Sequence, residues 1–225
     1  MIDDPINPVP PRTATARPVE VPMVGVVADP SLDDPPGPDT EPRLLAATEG
    51  APWKTRAVWK VERLDSDSWQ RFRGIRLYAL ADEPDAFGSS SARESEFDES
   101  DWRRLLELGP WWIAVVDGAD IGIVAGGTHR GYGVPWVYSM WVDQRWRGGG
   151  VATSLLDTVV GWATQQGAAR LGLDVADGVP RARRFYERYG FVDGQHSFPM
   201  PRDPTITLVE MFLDLTAPRS EPSTT

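Results

Sequence analysis

The chain has no cysteine and only two histidines among its 225 residues. Without thiols there are no disulfides, no thiolate metal sites and no cysteine nucleophile, and the composition fits a reducing interior. No Ser/His/Asp arrangement for nucleophilic catalysis is evident, and no metal is expected. No apolar run approaches the roughly 18 residues of a membrane span. No basic-then-apolar segment opens the chain. A soluble, cytoplasmic protein without a membrane partner is expected. Positive charge is scarce as well, with 23 Lys and Arg against 33 Asp and Glu. No basic stripe exists to neutralise phosphates along a strand, so a nucleic-acid partner is not expected.

The net charge of −10 is unevenly spread. Residues 1–52 hold nine acids and three arginines, a net of −6, which leaves −4 for the rest. The same segment carries 12 of the 21 prolines and no sustained period. "DPSLDDPPGPDTEP" has too little apolar surface to fold, and 1–52 reads as a disordered extension. Residues 217–225 read as a disordered tail. The span 53–216 reads as one domain, and 41% hydrophobic residues with ten tryptophans supply its core.

Within that span "AVWKVERL" alternates as a first strand. Helices follow at 66–84 and about 96–107, the latter opening on the capping residues of "DESDWRRLLEL". "WWIAVVDGADIGIVAGGT" reads as two strands around a tight "DGAD" turn, and "VPWVYSMWV" as a fourth strand. A helix at 148–166 places Val151, Leu155, Val159, Trp162 and Ala163 on one face. "ARLGLDV" is a fifth strand, 180–188 a short helix, "GFVDG" a sixth strand and "TITLVEMFLDL" a seventh. This order predicts an α/β (α+β) fold: a mostly antiparallel sheet of six to seven strands, flanked by helices, with one β–α–β crossover.

Between the fourth strand and the long helix lies "RWRGGGVATSLL". Glycine at the mouth of a helix is costly unless the backbone must approach something closely. The unpartnered N–H groups of a helix start favour an anion there. A nucleotide-hydrolase loop would need Gly-Lys-[Ser/Thr], but Val151 and Ala152 follow Gly150. A dinucleotide fingerprint would need a glycine where Thr153 stands. What the segment does contain is [Arg/Gln]-x-x-Gly-x-[Gly/Ala], formed by Arg147, Gly150 and Ala152.

With this motif in place, "VYSMWVDQRWRGGGVATSLLD" followed by "RARRFYERYGF" resembles the two core motifs of the GNAT superfamily of acyl-CoA-dependent N-acyltransferases. The resemblance covers about residues 55–215. It implies acetyl-CoA as co-substrate, with its pyrophosphate on the backbone of Arg147, Gly148, Gly149, Gly150, Val151, Ala152 and Thr153. It also implies that the fourth strand diverges from the fifth at a bulge, freeing Met140, Trp141 and Val142 to pair with the pantetheine arm. A central-strand reading of "SMWV" stays open. Tyr186 matches the family's usual general acid; Tyr189, on the same helical face, reads as packing. Val179 stands where many relatives have asparagine, which puts one coenzyme contact in doubt.

The resemblance implies transfer of an acetyl group to a primary amine by direct attack in a ternary complex. A non-catalytic acyl-CoA sensor of the same fold is the alternative. The general base is not legible: His129, Glu94, Glu96 and Tyr138 are all weak candidates. Trp111, Trp112, Trp136 and Tyr132 are candidates for an aromatic acceptor side, although most tryptophans must be core. The acceptor, a small-molecule amine or a peptide or protein amine, stays open, as does monomer or homodimer.

Overall fold

Adjacent tryptophans of one strand show how the two faces of the sheet are covered. Trp111 meets Phe72 of the first helix at a ring separation of 4.5 Å, whereas Trp112 points the other way and meets Trp162 of the long helix at 6.4 Å. Successive strand residues face opposite sides, so each ring belongs to a different layer. The structure, a computed structural model, describes residues 58–129 and 131–216. The expected extension at 1–52 and tail at 217–225 lie outside the described residues.

The elements run β1 (Lys60–Leu64), α1 (Trp69–Asp82), α2 (Ser91–Ser95), α3 (Glu99–Glu107), β2 (Trp111–Val116), β3 (Ala119–Thr128), β4 (Pro135–Val142), α4 (Val151–Gln165), β5 (Arg170–Ala176), α5 (Pro180–Tyr189), β6 (Val192–Pro199) and β7 (Thr207–Asp214). The local signals hold. Asp117 and Gly118 both take positive φ, 48° and 80°, as the two-residue turn between β2 and β3 demands. Asp98 and Asp101 form a reciprocal capping box at the start of α3. Three details differ from the sequence pattern. The first strand starts at Lys60, a short helix α2 precedes α3, and β6 extends to Pro199.

All seven strands form one sheet in the order β1-β2-β3-β4-β5-β7-β6. Only β4 and β5 are parallel neighbours. The single expected crossover, β4–α4–β5, is joined by a second: β5–α5–β6 also connects parallel strands, with β7 inserted between them. Both crossovers run the same way across the sheet, so right-handedness places α4 and α5 on one face. Helix α1 covers the other, where Tyr78 packs edge-on against Trp141 at 5.4 Å. No helix among the described residues is long and apolar enough to cross a membrane.

The parallel pair is barely a pair. Trp136 and Gly172 are its single register match. A side chain on Gly172 would strike the Trp136 ring at 2.1 Å, so glycine is what lets the two strands meet there. Beyond that point they part. Opposite β3, the register steps from Tyr138–Ala125 to Trp141–Ile123, so Ser139 and Met140 together face Val124. This is a β-bulge, and Ser139 carries it at φ 55°.

A buried ion pair pins the bulge. Arg76 of α1, 2% exposed, donates to both carboxylate oxygens of Glu94 in α2, at 2.9 and 2.7 Å, and Glu94 is fully buried. The remaining guanidinium nitrogen donates to Ser139 Oγ at 3.0 Å. The guanidinium also lies over the Phe87 ring, 5.1 Å from its centre. Removing one partner of such a pair strands the other charge in the core, at about 3–5 kcal/mol. Arg76→Leu is expected to lower unfolding stability in urea by about that much, and Arg76→Leu/Glu94→Leu to recover most of it. Equal, small losses in both variants would show that the pair does not hold this region.

Candidate active site

The turn after β4 is built to expose backbone donors. Asp143 accepts from the Arg145 N–H at 2.9 Å and opens a single 3-10 turn over Gln144–Trp146. The chain then reaches α4 through Gly148 at φ 82° and Gly150 at φ 97°. Such angles strain any side-chain-bearing residue. The bond from the Ser154 N–H to the Gly150 carbonyl, 3.0 Å, comes only after Val151, Ala152 and Thr153, whose N–H groups precede the first turn. Among the described residues nothing lies within 4 Å of where a Gly148 side chain would stand. The arrangement combines free donors, the positive end of a helix dipole and open space, which together suit an anionic group.

Other parts of this loop are already engaged. The Arg147 N–H bonds the Gln144 carbonyl at 3.3 Å, and the Gly149 N–H bonds that of Trp146 at 3.4 Å. The Arg147 side chain turns back from the loop surface. Its Nε donates to the Val142 carbonyl at 2.7 Å, and its guanidinium reaches Glu83 at 2.7 Å and Asp82 at 3.1 Å. Trp141 completes the tie, donating to Asp82 at 2.9 Å. Arg147 therefore fastens the loop to the end of α1. On the other side Trp59 donates to Ser154 Oγ at 3.1 Å, and its ring lies 3.5 Å from the side-chain position of Gly150.

Met140, Trp141 and Val142 are buried on the stretch of β4 that has left β5. Loop and helix α5 both follow the carboxyl ends of parallel strands, the end of an open sheet at which ligands bind. On α5, Tyr186 is 1% exposed and packs edge-on against Phe185 and Phe191. Burial pushes its hydroxyl pKa upward. Tyr189 is engaged elsewhere, its hydroxyl donating to Asp157 of α4 at 2.5 Å. Val179 occupies the N-cap of α5 with no side-chain cap bond, as an apolar residue must.

The weak candidates for a base resolve differently. Glu94 is consumed by Arg76. Glu96 is exposed at the end of α2. Tyr138 is buried and its pKa raised by desolvation, then by the Asp174 charge. His129 packs against Tyr132 and Trp136, and burial lowers its pKa. Trp111 and Trp112 are core, their rings packed on Phe72 of α1 and Trp162 of α4, while Trp136 is buried among His129, Tyr132 and Phe212. Tyr132, half-buried, stacks on Trp136 at 5.3 Å.

One residue that the sequence reading never considered as a base stands out. Asp174 of β5 is 3% exposed; its Oδ2 accepts from Trp136 Nε1 at 3.2 Å, and its buried Oδ1 has no hydrogen-bond partner among the described residues. Burial pushes this carboxyl up to about 7; the Trp136 bond opposes the rise and the Glu210 charge adds to it. It lies two residues past Gly172, where β4 and β5 begin to part. The available signal was a lone acid in the apolar run "LGLDVA".

The Acetyltransferase (GNAT) family model matches residues 74–191, more than half of the chain. Solved structures agree in fold at low identity. The chain is similar to a GNAT-family acetyltransferase from Streptococcus pneumoniae (17% identity, 69% of this chain and 98% of that one, TM-score 0.58). It is similar to the Salmonella typhimurium protein yncA, solved with its cofactor acetyl-CoA (16%, 75% and 100%, 0.57). A third is a ribosomal-protein-alanine N-acetyltransferase from Brucella melitensis (17%, 69% and 99%, 0.56). No curated protein matches the chain in sequence. The loop, the parted strands and α5 all fall inside the matched span, and the chain belongs to the GNAT family of acetyltransferases, enzymes of acyl transfer.

Proposed function

We propose that the chain moves an acetyl group from acetyl-CoA to a primary amine, carried by a small molecule or a peptide, by direct attack in a ternary complex. The observation that carries this reading is the set of N–H groups at the start of α4 that have no partner among the described residues, beside the gap between β4 and β5. Acetyl-CoA supplies the acetyl group as a thioester, and the coenzyme departs as a thiolate. The N–H groups of Val151, Ala152 and Thr153 hold the pyrophosphate, with Gly148 and Gly150 letting the backbone come close. The edge of Met140–Val142 takes the pantetheine arm as an added strand would be taken. Arg147 serves by anchoring the loop, and its side chain makes no phosphate contact in this reading.

Asp174 takes up the proton of the attacking amine, directly or through one water, because a carboxyl with a pKa of about 7 is a matched base at neutral pH. Tyr186 donates a proton to the departing thiolate. Burial raises its pKa, which makes the hydroxyl a weaker acid and fits a modest contribution to this step. Residues 53–216 form the catalytic unit in this reading. The direct test is release of free thiol from acetyl-CoA across a panel of primary amines. An amine-dependent rate supports transfer; acetyl-CoA binding without release by any amine would point to a sensor.

Gly150→Val forces a β-branched residue to φ 97° beside the Trp59 ring. The strain is about 1–3 kcal/mol, which a domain of this size tolerates. Calorimetric titration is expected to show acetyl-CoA binding weakened by more than about tenfold, or 1.4 kcal/mol, with the circular dichroism spectrum retained. Wild-type affinity would mean that the loop is only a turn.

Tyr186→Phe keeps the ring between Phe185 and Phe191 and removes one hydroxyl. Acetyl-CoA affinity is expected to hold while kcat falls, toward the low end of the roughly 10²–10⁴ range of general acids, since a thiolate is already a fair leaving group. Tyr189→Phe removes a bond to an exposed carboxylate and should leave kcat near wild type. Equal rates in both variants would assign Tyr186 to the core.

A further inference from the structure

Strands β5 and β7 set Asp174 directly opposite Glu210, with Gly172–Phe212 and Ala176–Leu208 as the flanking pairs on the same face. Two carboxylates therefore share one wall of the fold, and the structure treats them in opposite ways. Glu210, 1% exposed, is wrapped by donors. Its Oε1 accepts from the backbone N–H groups of Gln195 and His196, at 2.7 and 2.9 Å, and lies 2.9 Å from His196 Nδ1. Its Oε2 accepts from the Tyr132 hydroxyl at 2.5 Å. Strand β6 bends to make this clamp. Its register against β7 shifts between Asp193 and Ser197, and a side chain on Gly194 would strike Glu210 Cγ at 2.3 Å. Asp174 receives only the Trp136 N–H.

Burying Glu210 and supplying it with four donors is an expensive way to fill a sheet face. Reading it as core filling leaves unexplained why β6 bulges around it. Burial works to raise its pKa, but the bonds from Tyr132, from the His196 amide and ring and from the Gln195 amide outweigh that and hold it below the ordinary range. Glu210 is thus a fixed anion. A fixed anion beside a second carboxyl disfavours ionisation of that second group. Paired carboxyls pushed apart in this way are a recurrent means of separating proton-transfer roles.

We propose that Glu210 is the positioning residue for Asp174: clamped as an anion across the strand pair, it raises the pH at which Asp174 accepts the acceptor's proton beyond what burial alone sets. The proposal rests on the reading of Asp174 as base. The groups that face Asp174 are the Trp136 indole and the Tyr138 hydroxyl from β4, Glu210 from β7 and the Tyr132 hydroxyl from the β3–β4 loop. Arg170 acts on Tyr132, while His129 and His196 act on Glu210. Of these, Glu210 is the one that adds to the rise at Asp174.

The experiment is the pH dependence of kcat with acetyl-CoA and the fastest amine of the thiol-release panel. The base must be ionised to act, so kcat rises with pH along an acid limb that belongs to the coupled pair. Glu210→Gln keeps shape and most hydrogen bonds but removes the charge, and the limb is expected to move down by roughly one pH unit. His196→Ala, at an exposed side chain, keeps the charge and removes the imidazole that lies 2.9 Å from Glu210 Oε1. It should move the limb slightly up, and it serves if the Gln variant fails to fold. A limb unmoved in both variants overturns the role of Glu210. Asp174→Asn tests the reading beneath: loss of the limb together with a large fall in kcat supports it. Wild-type rate and limb in that variant would remove Asp174 as base, and the proposal with it.

Discussion

A guanidinium buried between two helices and a strand sets the geometry on which everything else depends. Arg76 brings α1 and α2 together through Glu94 and reaches past them to Ser139, the residue that carries the bulge. The bulge turns β4 away from β5, and the gap between those strands is where the proposed chemistry takes place. Buried ion pairs are often replaceable by apolar packing. This one has a geometric task that apolar side chains do not perform: a hydrogen bond aimed at a non-glycine residue in the left-handed region. The loop is fixed by a similar device. Arg147 draws the turn after β4 onto Asp82 and Glu83, so the β4 side of the gap is tied to α1 at both the bulge and the loop.

How much of this could be read from sequence followed from how local each feature is. The Asp117–Gly118 turn, the box that caps α3 and the glycines before α4 are each decided by a few neighbouring residues, and each was legible. Tyr186 and Tyr189 were distinguishable only by resemblance, since their helical face is shared; the bond from Tyr189 to Asp157 supplies a physical reason for the difference. The second crossover was missed because β7, last in the chain, inserts between β5 and β6. Arg147 was legible as part of the loop motif, but the carboxylates that hold its side chain, Asp82 and Glu83, lie more than sixty residues earlier.

The acid pair was illegible for the same reason in sharper form. Asp174 and Glu210 are 36 residues apart, and only the register of β5 on β7 makes them opposite neighbours. In the sequence each is a single acid within an apolar strand, which also describes many solvent-facing residues. Burial, one carboxylate with both oxygens hydrogen-bonded and one with an oxygen unpartnered among the described residues, is information that only the folded chain contains. An unpartnered buried oxygen is costly enough to need a reason, and proton transfer at that atom supplies one.

The central claim is that the start of α4 and the adjoining gap form a coenzyme site. The most direct measurement is the melting temperature of the full chain with increasing acetyl-CoA, because a ligand of the native state stabilises it by about 2.7 kcal/mol at one hundred times its Kd. A saturable rise, matched by a single binding isotherm in calorimetry, is the expected result. An unchanged melting curve and no binding heat at millimolar acetyl-CoA would contradict the assignment of the loop, the gap and the chemistry built on them.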